Sequence, residues 1–306
     1  MNRREFARVG LAAGTVSLLR ASEASAGMAA TPPAPFTLKY APHFGQFEKH
    51  AGPDLLDQLR FAADQGFRAF EDNEMTRRPA DTQEKIGREM TRLGLTMGVF
   101  VANFGTAFGK PTFTTGEAQY RESFLADLKQ SVEVAKRVNA KWVTVVPGEV
   151  HPRLDAGYQT ANVIELLKRG AAVLEPHGLV MVLEALNTRH DHPGLFLNTI
   201  AQGYALCKAV GSPAVKILYD CYHQQITEGN LIPNFDAAWD EIGYVQIGDN
   251  PGRNEPGTGE VNWKNVFRHL SRKGFQGVLG MEHGMSGQGK DGEAAVIAAY
   301  RGADGF

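Results

Sequence analysis

Long hydrophobic runs, a surplus of one charge and paired cysteines are all missing from this chain of 306 residues, and each absence excludes a class of protein. No apolar stretch reaches the ~20 residues that a membrane-spanning helix needs. The 32 Lys and Arg stand against 34 Asp and Glu, a formal net charge of -2. No long-range field therefore draws the chain to a nucleic-acid backbone or an anionic membrane. Charge runs such as Arg77-Arg78 and Lys136-Arg137 are short and read as solvated helix faces. The two cysteines, Cys207 and Cys221, lie outside any C-x-x-C pair and read as lone core thiols. No G-x-G-x-x-G follows a first strand, which weighs against a dinucleotide fold. The glycine-rich stretch 249–260 lacks the Gly-Lys-Ser/Thr ending of a P-loop, which weighs against nucleotide binding.

What is present is an ordinary globular composition, 43% hydrophobic and 22% charged. The chain is long enough for one α/β barrel of about 250 residues with a short extension. That extension is at the start. Asn2-Arg3-Arg4-Glu5-Phe6 precedes a weakly apolar run, Val9 to Leu19, and the small-x-small site Ala24-Ser25-Ala26. Basic, then apolar, then small is the grammar of a secretory leader, and paired arginines before Phe look like a twin-arginine signal. Residues 1–26 are expected to be that signal, read by the twin-arginine export machinery, with 27–36 as a linker and 37–306 as the folded domain. The expected destination is the periplasm or the outside of the cell, or the cytoplasm where the signal is not used.

From residue 36 onward, short apolar runs alternate with helical patterns. The runs are Thr37–Ala41, Ala69–Glu71, Leu95–Val101, Trp142–Val146, Val180–Leu183, Val215–Tyr219, Tyr244–Ile247 and Gly277–Met281. Near-continuous aliphatic runs suit strands buried on both faces. Helices are expected over Asp54–Ala63, Ala118–Val138, Ala161–Leu174, Thr199–Val210, Trp263–Lys273 and Gly292–Tyr300, with Gly66, Gly94, Gly178 and Gly274 ending helices before strands. Eight βα units without an internal linker predict a single-domain (β/α)8 TIM barrel of the α/β class. A doubly wound open sheet is the alternative.

In such a barrel the chemistry sits where strands end. The last four strands each deliver an oxygen-bearing side chain: Glu184, Asp220, Gln246 and Glu282. Singly, each could cap a helix or pair with a basic neighbour. Together, buried carboxylates resist ionising unless a cation joins them. Three carboxylates and one amide oxygen form a hard donor set, suited to one divalent ion, Mg²⁺ or Mn²⁺ before Co²⁺ or Zn²⁺. His223, expected in the loop above this centre, reads as a contact to a substrate hydroxyl or carbonyl. Arg253, inside the loop Asp249–Glu260, could clamp a carboxylate or a polarised oxygen. Glu255 and Glu260 either orient that arginine or cap the next helix. Asn187, one turn past Glu184, and Glu71, at the end of the second strand, are further candidate substrate contacts. His190-Asp191-His192 reads as a lid or an exposed turn.

Three motifs carry a resemblance: Glu184-Ala-Leu-Asn187, Asp220-x-Tyr-His-Gln-Gln225 and Pro251-Gly-Arg-x-Glu-Pro-Gly-Thr-Gly-Glu260. In them the chain resembles the hydroxypyruvate isomerases of the xylose-isomerase-like barrel superfamily, to which ketose 3-epimerases also belong. The likeness runs from about Thr37 to Tyr300 and is densest between 180 and 283. It implies a metal held by Glu184, Asp220, Gln246 and Glu282, the two glutamates acting as acid and base, and His223 and Arg253 holding substrate. The reaction so implied passes from a short hydroxy-oxo acid or sugar through a cis-enediolate. The front half departs from the family pattern at Gly66-Phe-Arg-Ala-Phe-Glu71-Asp-Asn-Glu74 and after Val101-Ala-Asn-Phe-Gly105. Other readings are a sugar epimerase on the same site, a non-catalytic sugar-binding protein and a metal-dependent nuclease. Intact carboxylates argue against the second, and charge balance and few histidines against the third. The sequence leaves oligomerisation open.

Overall fold

The computed structural model describes residues 34–306, so the expected leader and the linker as far as residue 33 lie outside the described residues. Eight short strands follow in chain order: β1 Lys39–Ala41, β2 Ala69–Phe70, β3 Thr96–Met97, β4 Trp142–Val145, β5 Val180–Glu184, β6 Val215–Asp220, β7 Ile242–Gln246 and β8 Val278–Gly280. Six of them form one sheet in the order β1-β8-β7-β6-β5-β4, while β2 pairs with β3, all in parallel. Isolated parallel bridges His43–Glu71 and Val101–Thr144 join the two sheets, closing a TIM-barrel-like ring.

The pleat decides which side chains enter the barrel, because neighbours along a strand alternate in direction. Ala41, Ala69, Val99, Val182, Leu218, Tyr244 and Val278 pack together inside the ring. Tyr40, Met181, Tyr219, Val245 and Leu279 face outward into the larger core under the helices. Two residues beyond Val182, Leu218 and Tyr244, the same alternation sends Glu184, Asp220 and Gln246 inward. In β7 this phase depends on an irregularity. The register runs from Ile217 opposite Ile242 to Leu218 opposite Tyr244, leaving Gly243 as the extra residue. That bulge brings Gln246 level with Asp220.

The helices begin where the sequence places caps. Asp54 Oδ1 accepts from the backbone N–H of Leu56 and Asp57 (2.9 and 3.1 Å), and Thr199 Oγ1 accepts from Gln202 (3.2 Å). The helices Ala118–Val138 and Trp263–Arg272 match expectation closely. A further helix, Ala80–Leu93, fills the β2–β3 connection, where the sequence reading names none. Its buried side includes Gln83 and Glu89 beside Ile86 and Met90, so polar residues interrupt the apolar stripe that betrays a covering helix. Phe36, at the end of the expected linker, is only 7% exposed and packs on Phe67 (centroids 4.7 Å apart). Cys207 and Cys221 are free and buried, as expected, and burial pushes both thiols up.

Gly87 marks the tightest helix crossing: a Cβ there would lie 2.1 Å from the Arg137 carbonyl oxygen. Helix propensity favours Ala over Gly by about 1 kcal/mol, but forced separation of packed helices costs about 1–3 kcal/mol. Gly87→Ala is therefore expected to lower stability by about 1 kcal/mol, read from urea midpoints. An unchanged or higher midpoint would show that these helices part freely.

Candidate active site

The structure brings Glu184, Asp220, Gln246, Glu282, His223 and Arg253 together at the C-terminal mouth of the barrel. Asp220 has two jobs, one per oxygen. Its Oδ1 caps the helix Cys221–Thr227 by accepting from the N–H groups of Tyr222 (2.8 Å) and His223 (3.4 Å). Its Oδ2 faces Arg253 Nη2 at 3.3 Å. The same guanidinium nitrogen donates to Glu282 Oε2 at 2.8 Å, and Arg253 Nε donates to the Glu282 carbonyl at 3.2 Å. Arg253 also lies over the Tyr222 ring, 4.8 Å from its centroid.

Removal from water favours the neutral form of Glu184 and Glu282. Burial raises Glu184 well above the ordinary range, and Glu282 and Asp220 raise it further. Burial lifts Glu282 to about 7, with Arg253 pulling it down and Asp220 pushing it up. One guanidinium faces three carboxylates, so the cluster remains anionic when all three ionise. Gln246 Oε1 is buried with no hydrogen-bond partner among the described residues. A hard divalent cation answers both features, the anionic surplus and the orphaned amide oxygen. One oxygen or nitrogen from each of Glu184, Asp220 and His223 also lies within 4.8 Å of the others, so His223 belongs to the cluster by distance.

Three sequence-derived placements change. His223 does not sit in a loop; it lies in the helix Cys221–Thr227 and is 0% exposed, because Asp220 starts that helix directly at the strand end. Burial lowers its imidazole to about 4. Asn187 is 0% exposed and lies behind His223, its Nδ2 2.7 Å from His223 Nδ1, rather than in the open mouth. Glu71 points inward as the phase of β2 requires, but it lies deep in the barrel and accepts from the Tyr244 hydroxyl at 2.8 Å. Room for it comes from Gly280, where a Cβ would stand 2.1 Å from Glu71 Oε2. Burial raises its carboxyl well above the usual range, opposed by hydrogen bonds from Tyr244 and Gln246. Of the His190-Asp191-His192 turn, His190 is exposed, whereas the His192 ring lies 5.4 Å from His223 and stacks on Phe108.

Two residues escaped the sequence reading. Asn73, two past Glu71 and thus in the same inward phase, donates through Nδ2 to Glu282 Oε1 at 3.0 Å and leaves Oδ1 without a partner among the described residues. Asp249 is fully buried and ties the arginine loop into shape. Its carboxylate accepts from the N–H groups of Gly257 (2.8 Å), Asn250 (2.9 Å), Gly259 (3.0 Å) and Val261 (3.2 Å). Gly259 is required there, since a Cβ would meet the Asn250 carbonyl oxygen at 2.3 Å. Glu255 holds the loop to the β8 side through the backbone and hydroxyl of Ser286, rather than orienting Arg253. Glu260 accepts from Gln225 and Asn250, both at 3.1 Å. Arg253 itself adopts φ 49°, a left-handed conformation that only a constrained loop maintains in a non-glycine residue.

The sequence profile of the xylose isomerase-like TIM barrel family matches residues 59–301. The chain belongs to this family. A 2-oxo-tetronate isomerase from Cupriavidus necator is 30% identical over 237 residues, which cover 78% of this chain and 88% of that protein. The hydroxypyruvate isomerase of Escherichia coli is 31% identical over 162 residues, covering 53% of this chain and 62% of that one. Among solved structures, an AP endonuclease of family 2 from Brucella melitensis superposes with a TM-score of 0.70 at 25% identity, covering 85% of this chain and 98% of the other.

Asp249→Asn replaces a pure acceptor by a group whose amide hydrogens face other N–H donors. Displacing a substrate-orienting group by ~1 Å costs on the order of 10²-fold. The variant is expected to lose about that factor in kcat/KM, and wild-type kinetics would show that the loop holds without the carboxylate. The raised Glu184 and Glu282 also set a pH dependence. Coordination needs carboxylates, so Mg²⁺ or Mn²⁺ uptake at pH 7 should release protons, and affinity should climb as pH rises through about 7. Calorimetry in buffers of different ionisation enthalpy reads this directly; heats independent of buffer would contradict it.

Proposed function

We propose that the protein is a divalent-metal-dependent isomerase of a short α-hydroxy carbonyl compound, of the hydroxypyruvate or 2-oxo-tetronate kind. Enzyme status and isomerase class follow from the family and from relatives that carry those names. The observation that carries the mechanism is the pair Glu184 and Glu282 on either side of Asp220, Gln246 and Arg253, Glu184 buried and raised well above the ordinary carboxyl range and Glu282 lifted to about 7. Glu184, Asp220, Gln246 and Glu282 would hold one ion, Mg²⁺ or Mn²⁺ before Co²⁺ or Zn²⁺. When bound, the ion would polarise the substrate carbonyl and acidify the neighbouring C–H.

The chain's own residues do the rest. One glutamate, as carboxylate, removes the proton from the hydroxyl-bearing carbon and leaves a cis-enediolate. The other, as the neutral acid, gives a proton to the former carbonyl carbon, while the hydroxyl proton passes from the oxygen of the first carbon to that of the second, so that the carbonyl re-forms on the first. Glu282, lifted to about 7, can serve in either form, which is a condition for general acid–base catalysis worth ~10²–10⁴-fold. Arg253 pairs with the acid group of the substrate or with its developing oxyanion, and His223 donates to an oxygen. Returning the proton to the same carbon from the opposite face would make the reaction an epimerisation.

Glu184→Gln and Glu282→Gln are each expected to abolish turnover of small hydroxy-oxo acids and ketoses supplied with Mg²⁺ or Mn²⁺. In heavy water the wild-type product should carry one carbon-bound deuterium, on the neighbouring carbon for isomerisation or on the original one for epimerisation. Activity retained in both variants, or product without deuterium, would refute the enediolate route.

We also propose that residues 1–26 direct twin-arginine export to the periplasm or beyond, on the strength of Arg3-Arg4, the weak apolar run and Ala24-Ser25-Ala26. Replacing Arg3 and Arg4 together by Lys should leave the full-length chain in the cytoplasm. Equal export of the variant would remove this assignment.

A further inference from the structure

The hydrogen bonds behind His223 fix which of its nitrogens carries the proton. The backbone N–H groups of His190 and Asp191 point at one end of the Asn187 side chain, at 3.0 and 3.1 Å. A backbone N–H can only donate, so that end is the oxygen Oδ1 and the other end is the NH₂. The two hydrogens of Nδ2 then have two partners: Asp191 Oδ2 at 2.6 Å and His223 Nδ1 at 2.7 Å. The backbone N–H of Asn187 also points at His223 Nδ1, at 3.4 Å. Two donors converge on Nδ1, whereas the facing carboxylate oxygen, Asp191 Oδ2, stands 4.0 Å away, beyond hydrogen-bond distance, and is taken by the Asn187 amide. Nδ1 must therefore offer its lone pair, and the ring hydrogen sits on Nε2.

Nε2 is buried, has no hydrogen-bond partner among the described residues and lies 3.6 Å from Asp220 Oδ2, beside the carboxylate cluster. We propose that Asn187, anchored by Asp191, is a positioning residue that holds His223 as the Nε2–H tautomer, so that His223 donates a hydrogen bond to a substrate oxygen and does not ligate the metal, although it lies within ligand distance of Glu184 and Asp220. A ligating histidine shows the opposite pattern: its metal-bound nitrogen is bare and the other donates outward to a carboxylate or carbonyl. Here a rotated Asn187 would turn its NH₂ onto two N–H donors, so the ligating tautomer loses its support on both sides. The catalytic consequence rests on the enediolate reading above; the tautomer does not. A neutral imidazole N–H aimed at a developing oxyanion stabilises it without adding a second cation to the site.

The test uses the full chain labelled with ¹⁵N at its nine histidines. His223→Gln identifies the His223 resonances by their loss. The wild-type protein should show the Nε2–H pattern without metal and with Mg²⁺ or Zn²⁺ added. An Nδ1–H pattern, or loss of the Nε2 proton on adding Zn²⁺, overturns the proposal. The double exchange Asn187→Asp with Asp191→Asn keeps one carboxylate and one amide but places the carboxylate against Nδ1. It should move the proton to Nδ1, bare Nε2, tighten Zn²⁺ binding about tenfold and lower kcat ~10²-fold, the scale of one oxyanion donor. An exchange variant that keeps the Nε2–H pattern also overturns it. Should that variant not fold, the wild-type spectra decide alone. Because the tautomer is read without substrate, a failure to find isomerase activity leaves this result standing.

Discussion

Repulsion among three carboxylates crowded together, two of them buried, is the constraint around which the barrel mouth is organised. Glu184, Asp220 and Glu282 arrive there because strands β5, β6 and the end of β8 present every second residue inward. Left alone, they would protonate or spread apart. Arg253 offsets part of the charge, reaching Glu282 and Asp220 with one nitrogen. Asn73 steadies the other oxygen of Glu282. The surplus that remains is what a divalent cation would answer in the proposed function, and it raises both Glu184 and Glu282 above the ordinary carboxyl range.

The arginine needs its own support, because a long side chain on a loop has many alternatives. Asp249 supplies it by gathering four backbone N–H groups onto one carboxylate, and Glu255 fastens the loop to Ser286 on the β8 side. The glycines in this segment follow from that geometry: Gly259 passes too close to the Asn250 carbonyl for any side chain. The loop motif legible in the sequence is therefore the imprint of a backbone shape whose purpose is to aim one guanidinium.

Much of this was readable from the chain alone, and the reason is period two. Once an apolar run is recognised as a buried strand, the side chains at its end have a defined direction, and Glu184, Asp220, Gln246 and Glu282 follow. The features that escaped depend on relations between segments. The depth of Glu71 is set by a missing side chain at Gly280, on the strand that completes the ring. The position of Asn187 behind His223, rather than beside a substrate, depends on where the turn 187–192 folds back. The helical setting of His223 arises because Asp220 is at once a strand end and a helix cap, a double role that a strand-by-strand reading separates into alternatives. The helix Ala80–Leu93 was obscured by buried polar residues that find partners only in the folded protein, such as Gln83 with Arg137 and Glu89 with Arg60.

The ring itself is uneven. Six strands share continuous ladders, whereas β2 and β3 are attached on each side by a single bridge, at His43–Glu71 and at Val101–Thr144. All four proposed metal-binding side chains stand on or just beyond the continuous part. A barrel seamed in this way separates inheritance from experiment. The two-strand portion can accept changed loops and side chains while the register that sets the spacing of the carboxylates stays untouched. Substrate range can then drift within a lineage without the acid–base chemistry having to be rediscovered.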